Sequence, residues 1–136
     1  MPVTIKDIRK AARQIKGQVV RTPSVPSAAL SEMTGAEVVL KLENLQHTSS
    51  FKPRGALVKL LSLSAAEMKA GVVAASAGNH AQGVAWHARN LGIPATVFMP
   101  ENTPFTKVGR TQSLGAKVEL AGSDLSEAKT HANNFA

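Results

Sequence analysis

The sequence predicts an α/β fold of three layers, in which a parallel β-sheet has flanking helices on both faces. Short apolar runs without polar alternation, typical of strands buried on both faces, lie at residues 71–76, 95–99 and 116–120. Helical patterns at residues 80–91 and 105–114 separate these runs, and each pattern ends at a glycine. Because strand and helix alternate, we expect right-handed crossovers between parallel strands, with ligands at the carboxyl ends of the strands.

The first part of the chain predicts an amphipathic helix, an extended connector, a short helix and one strand. Apolar residues at spacings of three and four indicate the first helix: Ile5, Ile8, Ala12, Ile15 and Val19. Pro23 and Pro26 exclude a helix from the connector at residues 21–27. A short helix at residues 28–34 and a β-branched strand at residues 38–42 are expected to follow.

The last segment, residues 124–136, has the pattern of a further helix. No strand follows this helix, so we expect a sheet truncated at its carboxyl end. Such a sheet would leave an apolar helix face and a strand edge uncovered.

The composition excludes several classes of chemistry. The 136 residues are 43% hydrophobic, which is enough for one buried core, and they include no cysteine. Disulfides, thiolate metal sites and cysteine nucleophiles are therefore excluded. Since the apolar runs are too short for a membrane span, we expect a cytoplasmic protein with no membrane partner.

The formal net charge of +7 is concentrated at the amino-terminal end. Residues 1–21 hold six basic residues against Asp7 alone, and so carry +5 of that charge. A solvated cationic helix face explains this distribution, and the scattered aromatic residues form no platform on which bases could stack. We therefore expect no nucleic-acid partner. A non-catalytic, basic nucleic-acid-binding module stays open as the alternative from a different functional class.

Lys52 stands where a helix is expected to begin. Pro53 disfavours helical dihedral angles at Lys52 but suits the first helical position, so the helix is predicted to start at Pro53. A cation at this positive helix end is disfavoured by roughly 0.3–1 kcal/mol, which favours the neutral, nucleophilic amine of a Schiff-base lysine. From the spacing alone, however, an ordinary surface lysine beside a helix start is the better explanation.

A second candidate feature is the turn between a predicted strand and a predicted helix at residues 76–83. Gly78 permits a tight turn, and unpaired backbone amides at a helix start can receive a carboxylate or a phosphate. His80 and His87 lie on this helix, but no further ligand stands at a convincing metal-binding spacing, so we expect no metal. Taken alone, such a turn is weak evidence of a site.

Three runs of sequence are similar to the signatures of one enzyme family. They are KLENLQ at residues 41–46, TSSFKPRGA at residues 48–56 and SAGNHAQG at residues 76–83. Together they resemble the threonine and serine dehydratases, which have fold type II of the pyridoxal-phosphate enzymes. The resemblance covers essentially the whole chain, and the family continues well beyond residue 136.

The resemblance implies roles for individual residues. Lys52 would hold pyridoxal 5'-phosphate covalently, and Phe51 would lie close to the cofactor. Asn79 would hydrogen-bond the hydroxyl oxygen of the pyridoxal ring. The loop that holds the substrate carboxylate would consist of Ser76, Gly78, Asn79 and His80.

The implied reaction is the elimination of water and ammonia from L-threonine or L-serine, which yields 2-oxobutanoate or pyruvate. A serine racemase or a β-replacement synthase of the same fold type is the alternative. The serine racemase branch usually has a hydroxyl residue where Ala77 stands in this chain, which favours elimination. Many relatives have glycine in place of Ser49, so the local loop geometry at that position is open.

The resemblance also implies two domains. Residues 1–47 would supply the amino-terminal helix, the connector and the first strand of a large domain. Residues 48–136 would form an incomplete small α/β domain that carries Lys52 and the Asn79 loop. The glycine-rich phosphate site would lie beyond residue 136, so these residues alone are expected to bind cofactor poorly and to be inactive. The full-length protein is expected to act on a small amino acid as a homo-oligomer.

Overall fold

The structure, a computed structural model, describes residues 2–136, so that Met1 of the predicted 1–47 domain lies outside the described part. The α-helices are Ile5–Gln14 (α1), Ala28–Thr34 (α2), Lys52–Leu60 (α3), Ala65–Ala70 (α4), Asn79–Leu91 (α5), Phe105–Ser113 (α6) and Leu125–Phe135 (α7). The strands are Ser24–Pro26 (β1), Val39–Lys41 (β2), Val72–Ala75 (β3), Ala95–Met99 (β4) and Lys117–Leu120 (β5), and a 3-10 helix spans Glu43–Leu45. No helix within residues 2–136 has both the length and the apolar composition to cross a bilayer.

A three-stranded parallel sheet forms the centre of the carboxyl-terminal part of the structure. Its strand order is β3-β4-β5, with Ala74 opposite Val97 and Phe98 opposite Glu119. The strands run in parallel because α5 and α6 provide the crossover connections between them. The predicted α/β fold with a parallel sheet and flanking helices is therefore confirmed.

The central strand β4 separates two apolar layers. Val97 and Met99 are fully buried and belong to one apolar cluster together with Ala85 of α5. Phe98 belongs to a second cluster with Ala128 of α7. Because successive side chains of a strand point to opposite faces, this alternation places α5 on one side of the sheet and α7 on the other.

The amino-terminal part differs from the sequence prediction in two respects. β1 and β2 pair antiparallel in a separate two-stranded sheet, with Val25 opposite Leu40, where the sequence predicts only an extended connector and one strand. α1 is also shorter than predicted and does not include Val19. Gly17, with a left-handed φ of 82°, lies in the turn that follows the helix.

The remaining helix boundaries lie close to the predicted ones, but one helix is missing from the prediction. α3 begins at Lys52 instead of Pro53, and Pro53 occupies a buried position in its first turn. α4 has no counterpart in the prediction. Its start is a capping box, in which the Ser64 hydroxyl accepts from the Glu67 N–H and the Glu67 carboxylate accepts from the Ser64 N–H. A serine followed three residues later by a glutamate is the signal for this helix.

An uncovered apolar helix face belongs to α1, whereas the last helix is covered at Ala128 and Ala132 but not at Leu125, which is 52% exposed. Ile5 and Ile8 are 60% and 56% exposed. The apolar side of α1 lines a groove of about 1030 Å³ together with Val58 of α3. α7 instead packs Ala128 and Ala132 against the sheet. The expectation of an uncovered face on the last helix is therefore wrong for these two residues, because the sheet covers them.

His87 is a buried polar residue within α5. It is 2% exposed, and its Nε2 has no hydrogen-bond partner in the described part of the chain. Burial lowers the pKa of His87 to about 4, and the nearby charge of His47 acts in the same direction. His47 stacks on Trp86 with 5.0 Å between the ring centroids. The imidazole of His87 is therefore neutral near pH 7 and fills space in the core.

Replacing His87 by leucine should remove part of the acid sensitivity of the protein. The unfolded chain binds a proton at His87 below its ordinary pKa of 6.5, whereas the folded protein does so only below about pH 4. The wild type should therefore lose stability as the pH falls through this window, by about 3 kcal/mol near its lower end. Denaturant titrations of the full-length protein at pH 7.5 and 4.5 measure this loss. An equal loss in wild type and His87→Leu would contradict the assignment.

Replacing Ser49 by glycine should stabilise the loop before α3. Ser49 has a φ of 55°, and within residues 2–136 it is the only residue other than glycine with a positive φ. This conformation costs a residue with a Cβ roughly 1–2 kcal/mol, whereas glycine adds roughly 0.5–1 kcal/mol of backbone entropy cost. The thermal midpoint of full-length Ser49→Gly should therefore rise, by the equivalent of roughly 0.5–1 kcal/mol. Ser49→Val should lower it, and a lower midpoint for the glycine variant would refute the argument.

Candidate active site

Lys52 opens α3 with its amine against an aromatic ring. Its side chain is partly buried, and its Nζ lies 4.7 Å from the centroid of the Phe51 ring. Phe51 precedes the helix and is 60% exposed. Pro53, the next residue, suits the first turn of α3, because it has no backbone N–H that would lack an acceptor there. The amine therefore rests on an aromatic face, at a distance at which a cation and a ring attract each other.

A charge pair anchors the turn of α3 that follows Lys52. Nε and Nη2 of Arg54 donate to the two carboxylate oxygens of Glu43 at 2.7 and 2.8 Å. These hydrogen bonds, with a weaker contribution from the Thr22 hydroxyl, lower the pKa of Glu43 to about 2. Nη2 of Arg54 also donates to the carbonyl oxygen of Val20 at 3.1 Å. The start of α3 is thus tied both to the 3-10 helix and to the segment that follows α1.

The side chain of Ser76 holds the turn between β3 and α5. Its hydroxyl oxygen accepts from the backbone N–H groups of Gly78 and Ala81, each at 3.3 Å. The N–H of Ser76 donates to the carbonyl oxygen of Phe98 in β4 at 3.0 Å. The turn is therefore braced internally and anchored to the sheet.

The start of α5 leaves hydrogen-bond donors free for an anion. α5 begins at Asn79, and Gly78 before it makes no side-chain capping bond. The N–H groups of Asn79 and His80 have no acceptor within the helix, and the helix dipole adds partial positive charge at this end. Both residues are exposed. A carboxylate or a phosphate suits this position.

A pocket of about 380 Å³ joins the two helix starts. Phe51 and Lys52 line it from the start of α3, Ala74 from β3 and His80 from α5. Burial lowers the pKa of His80, and the positive charge of Lys52 lowers it further. The structure thus brings Lys52, Phe51 and His80 to one cavity, although the lysine and the histidine stand in separate motifs of the sequence.

The other predicted site residues lie beside this pocket. Ser76, Gly78 and Asn79 do not line it, but they form the turn that leads directly to His80. A ligand that fills the pocket and contacts the backbone N–H of Asn79 would extend past His80 towards this turn. The roles expected of these three residues stay predictions.

The pocket fits one end of pyridoxal phosphate. A primary amine stands beside a wall formed largely by apolar side chains such as Val73, Ala74 and Leu60. Its volume of about 380 Å³ lies within the usual range of small-molecule sites. An amine can bond to the aldehyde of the cofactor, and apolar walls suit the pyridine ring. The residues present therefore fit the aldehyde and ring of the cofactor.

A larger groove between α1 and α3 lies apart from the candidate site, since Lys52 does not line it. The sequence prediction did not include this groove. The apolar periodicity of α1 was the signal that could have indicated it. Within residues 2–136, histidine and carboxylate side chains form no group of three or more that could hold a metal ion.

Comparison with known proteins gives one family. The model of the family described as pyridoxal-phosphate dependent enzyme matches residues 15–136. The L-threonine ammonia-lyase of Thermotoga maritima is 54% identical over 126 residues, which cover 93% of this chain and 31% of that protein. This chain spans about a third of the length of the curated relatives that it matches.

Two solved structures share the fold over nearly the whole chain. A serine racemase from Dictyostelium discoideum has a TM-score of 0.88 and 33% sequence identity, covering 98% of this chain and 43% of its own. The processed form of threonine deaminase isoform 2 from Solanum lycopersicum has a TM-score of 0.84 and 34% identity, covering 99% of this chain and 39% of its own.

Proposed function

Because the chain belongs to the family of pyridoxal-phosphate dependent enzymes, we propose that its full-length protein eliminates water and ammonia from L-threonine or L-serine. The observation that carries this proposal is the pocket that Lys52 lines from the start of α3 and His80 lines from the start of α5. One side of the pocket offers a nucleophilic amine, and the other offers donors for an anion. A cofactor with an aldehyde and a substrate with a carboxylate need these two groups side by side.

Four kinds of contact would hold cofactor and substrate. Lys52 holds the cofactor through its amine, and the ring of Phe51 lies beside it. Asn79 hydrogen-bonds the hydroxyl oxygen of the cofactor ring. The turn from Ser76 through Gly78 to His80 receives the carboxylate of the substrate. The supporting geometry is the free N–H pair at the start of α5 and the bracing of the turn by Ser76.

The chemistry divides between the cofactor and the side chains. Pyridoxal phosphate, when bound, supplies a ring that withdraws electrons from the α carbon of the substrate. The amine of Lys52, which lines the pocket, would take the proton from that carbon once the amino group of the substrate has replaced it on the cofactor. The N–H groups at the start of α5 hold the carboxylate and so turn the C–H bond towards the amine. Burial and the charge of Lys52 lower the pKa of His80, which favours the neutral imidazole in this pocket.

Loss of the β hydroxyl completes the elimination. The resulting enamine is hydrolysed in water, and the products are ammonia and 2-oxobutanoate from threonine or pyruvate from serine. The similarity to a protein named L-threonine ammonia-lyase supports threonine as a substrate. Serine carries the same β hydroxyl and differs by one methyl group, a difference for which pocket discrimination is weak.

Racemisation of serine is the second candidate function. It is favoured by the structural likeness to a serine racemase with a TM-score of 0.88. Against it stands Ala77, which has no hydroxyl to return a proton to the substrate from the face opposite Lys52. Elimination needs a base on one face only, so it is the better fit to this chain.

The proposal extends to the organisation of the whole protein. Residues 1–47 would belong to a large domain, and residues 48–136 to a small one. The support for this division is that the β1-β2 sheet does not join the three-stranded sheet. The chain has about a third of the length of its relatives, so the complete site and the activity belong to the full-length protein. A cytoplasmic homo-oligomer acting on a small amino acid is the form we propose for it.

Mapping of the cofactor lysine tests the proposal. The full-length protein is reconstituted with pyridoxal phosphate, reduced with borohydride and digested, and mass spectrometry should find the label on Lys52. Lys52→Ala should lower kcat for ammonia release from threonine about a thousandfold, because the base is removed. Lys59 lines the same pocket and provides the matched control, since Lys59→Ala should keep the label on Lys52. Label on any other lysine in the wild type would overturn the site.

A substitution at Ala77 separates elimination from racemisation. Ala77→Ser places a hydroxyl in the turn, on the proposed face of the substrate opposite Lys52. That hydroxyl can return a proton, so conversion of L-serine to D-serine should appear in the full-length variant. The wild type and Ala77→Gly, which both lack the hydroxyl, should form pyruvate with no measurable D-serine. Chiral chromatography and a pyruvate assay measure the two products. If the wild type forms D-serine as fast as pyruvate, racemisation is the better description.

A further inference from the structure

Helix α5 touches the backbone of Lys52 at a position that has no side chain. α3 and α5 pack directly against each other, and Gly83 of α5 faces the first peptide bond of α3. A Cβ added at Gly83 would lie 3.1 Å from the carbonyl carbon of Lys52 and 3.1 Å from the nitrogen of Pro53. It would also lie 3.4 Å from the Cβ of Lys52. The two distances of 3.1 Å are shorter than ordinary van der Waals contacts, and the third is at their lower limit.

The neighbours of Gly83 cannot yield by a simple side-chain rotation. Two of the three nearest atoms belong to the planar Lys52–Pro53 peptide unit, and Pro53 is fully buried. Arg54, the next residue, is held by two hydrogen bonds to Glu43. A side chain at position 83 would therefore have to move the backbone of residue 52 or shift α5 as a whole.

Gly83 lies between the two parts of the site. The amine extends from residue 52 on one side of this contact. On the other side, α5 leads back within one turn to His80 and to the free N–H groups at its start. The closeness of α3 and α5 at Gly83 thus sets how far the lysine stands from the anion-binding turn.

We propose that Gly83 is a positioning residue, whose missing side chain sets the placement of the Lys52 amine relative to the start of α5. This inference rests on the proposed role of Lys52 as the lysine that binds the cofactor. Gly83 is not among the residues that line the pocket, so it would act only through the backbone of Lys52.

The variant Gly83→Ala of the full-length protein tests the proposal. The added methyl group should displace residue 52 by a few tenths of an ångström. A misplacement of 1 Å can cost about a hundredfold in rate, so kcat should fall about fivefold to tenfold. KM should change less than about twofold, because the turn that holds the carboxylate keeps its structure. The affinity of the apoprotein for pyridoxal phosphate, followed by absorbance, should fall about as much as kcat, since the cofactor bonds to the displaced amine.

Two control variants distinguish a displaced Lys52 from two other effects of a substitution, namely a change in helix propensity and a loss of stability. Gly109 of α6 has open space where its Cβ would lie, so Gly109→Ala adds the same methyl group to a helix without any contact. Its kcat and cofactor affinity should equal those of the wild type. Ala128→Gly weakens α7, which packs on the face of the sheet opposite α5, and lowers the thermal midpoint without touching Lys52. Measured well below its midpoint, it should keep the wild-type cofactor affinity.

The outcomes distinguish this inference from the proposed function. If borohydride labels Lys52 in the wild type but Gly83→Ala has unchanged cofactor affinity and kcat, the positioning role is refuted. The same holds if Ala128→Gly loses cofactor affinity as much as Gly83→Ala does, or if Gly83→Ala does not fold, because the glycine then serves the packing of the domain. If Lys52 is not labelled in the wild type, the proposed function itself fails.

Discussion

The packing of two helix starts is the constraint on which the site depends. Helix starts carry unpaired N–H groups and partial positive charge, so a pocket between the starts of α3 and α5 attracts anions from both sides. One of these starts also carries the amine of Lys52. The apolar layer on one face of β4 holds both helices against the sheet. Burial of apolar side chains therefore determines where the amine of Lys52 and the N–H groups at the start of α5 lie relative to each other.

The charged groups at and near the pocket differ in how they respond to pH. The carboxylate of Glu43 has a pKa of about 2, so its pair with Arg54 stays charged across the whole range in which imidazoles titrate. The placement of α3 is then independent of pH in that range. His80 differs, because burial and the charge of Lys52 lower its pKa and favour the neutral ring. A change in the protonation of His80 would alter the field at the amine without moving the helix that carries it.

The sequence predicted the parts of the fold that are encoded in local patterns. The parallel strands follow from short apolar runs without alternation, and the helices between them follow from a period of 3.6 residues and from the glycines at their ends. The pairing of β1 with β2 could not be predicted in this way, because it joins Val25 to Leu40 across an intervening helix. The exposed face of α1 escaped prediction for a related reason. A hydrophobic period shows that a face is apolar, but it does not show whether a partner covers that face within the same 136 residues.

In the candidate site, too, the sequence identifies residues in local motifs but not those defined by long-range contacts. Lys52 and Asn79 stand in contiguous motifs, so the sequence could single them out, but the bare spacing at Lys52 fitted a surface lysine better than a reactive one. The resemblance to the dehydratase signature changed that balance, and the fold adds an environment in which an aromatic ring lies 4.7 Å from the amine and His80 lines the same cavity. Gly78 and Gly83 make the contrast plain. Gly78 lies in a turn that sequence can identify, whereas Gly83 is indistinguishable from any helical glycine until the backbone of Lys52 is found 3.1 Å from where its side chain would be. Residues that react can be found in a motif, but residues that set the distances between them become visible only when the chain is folded.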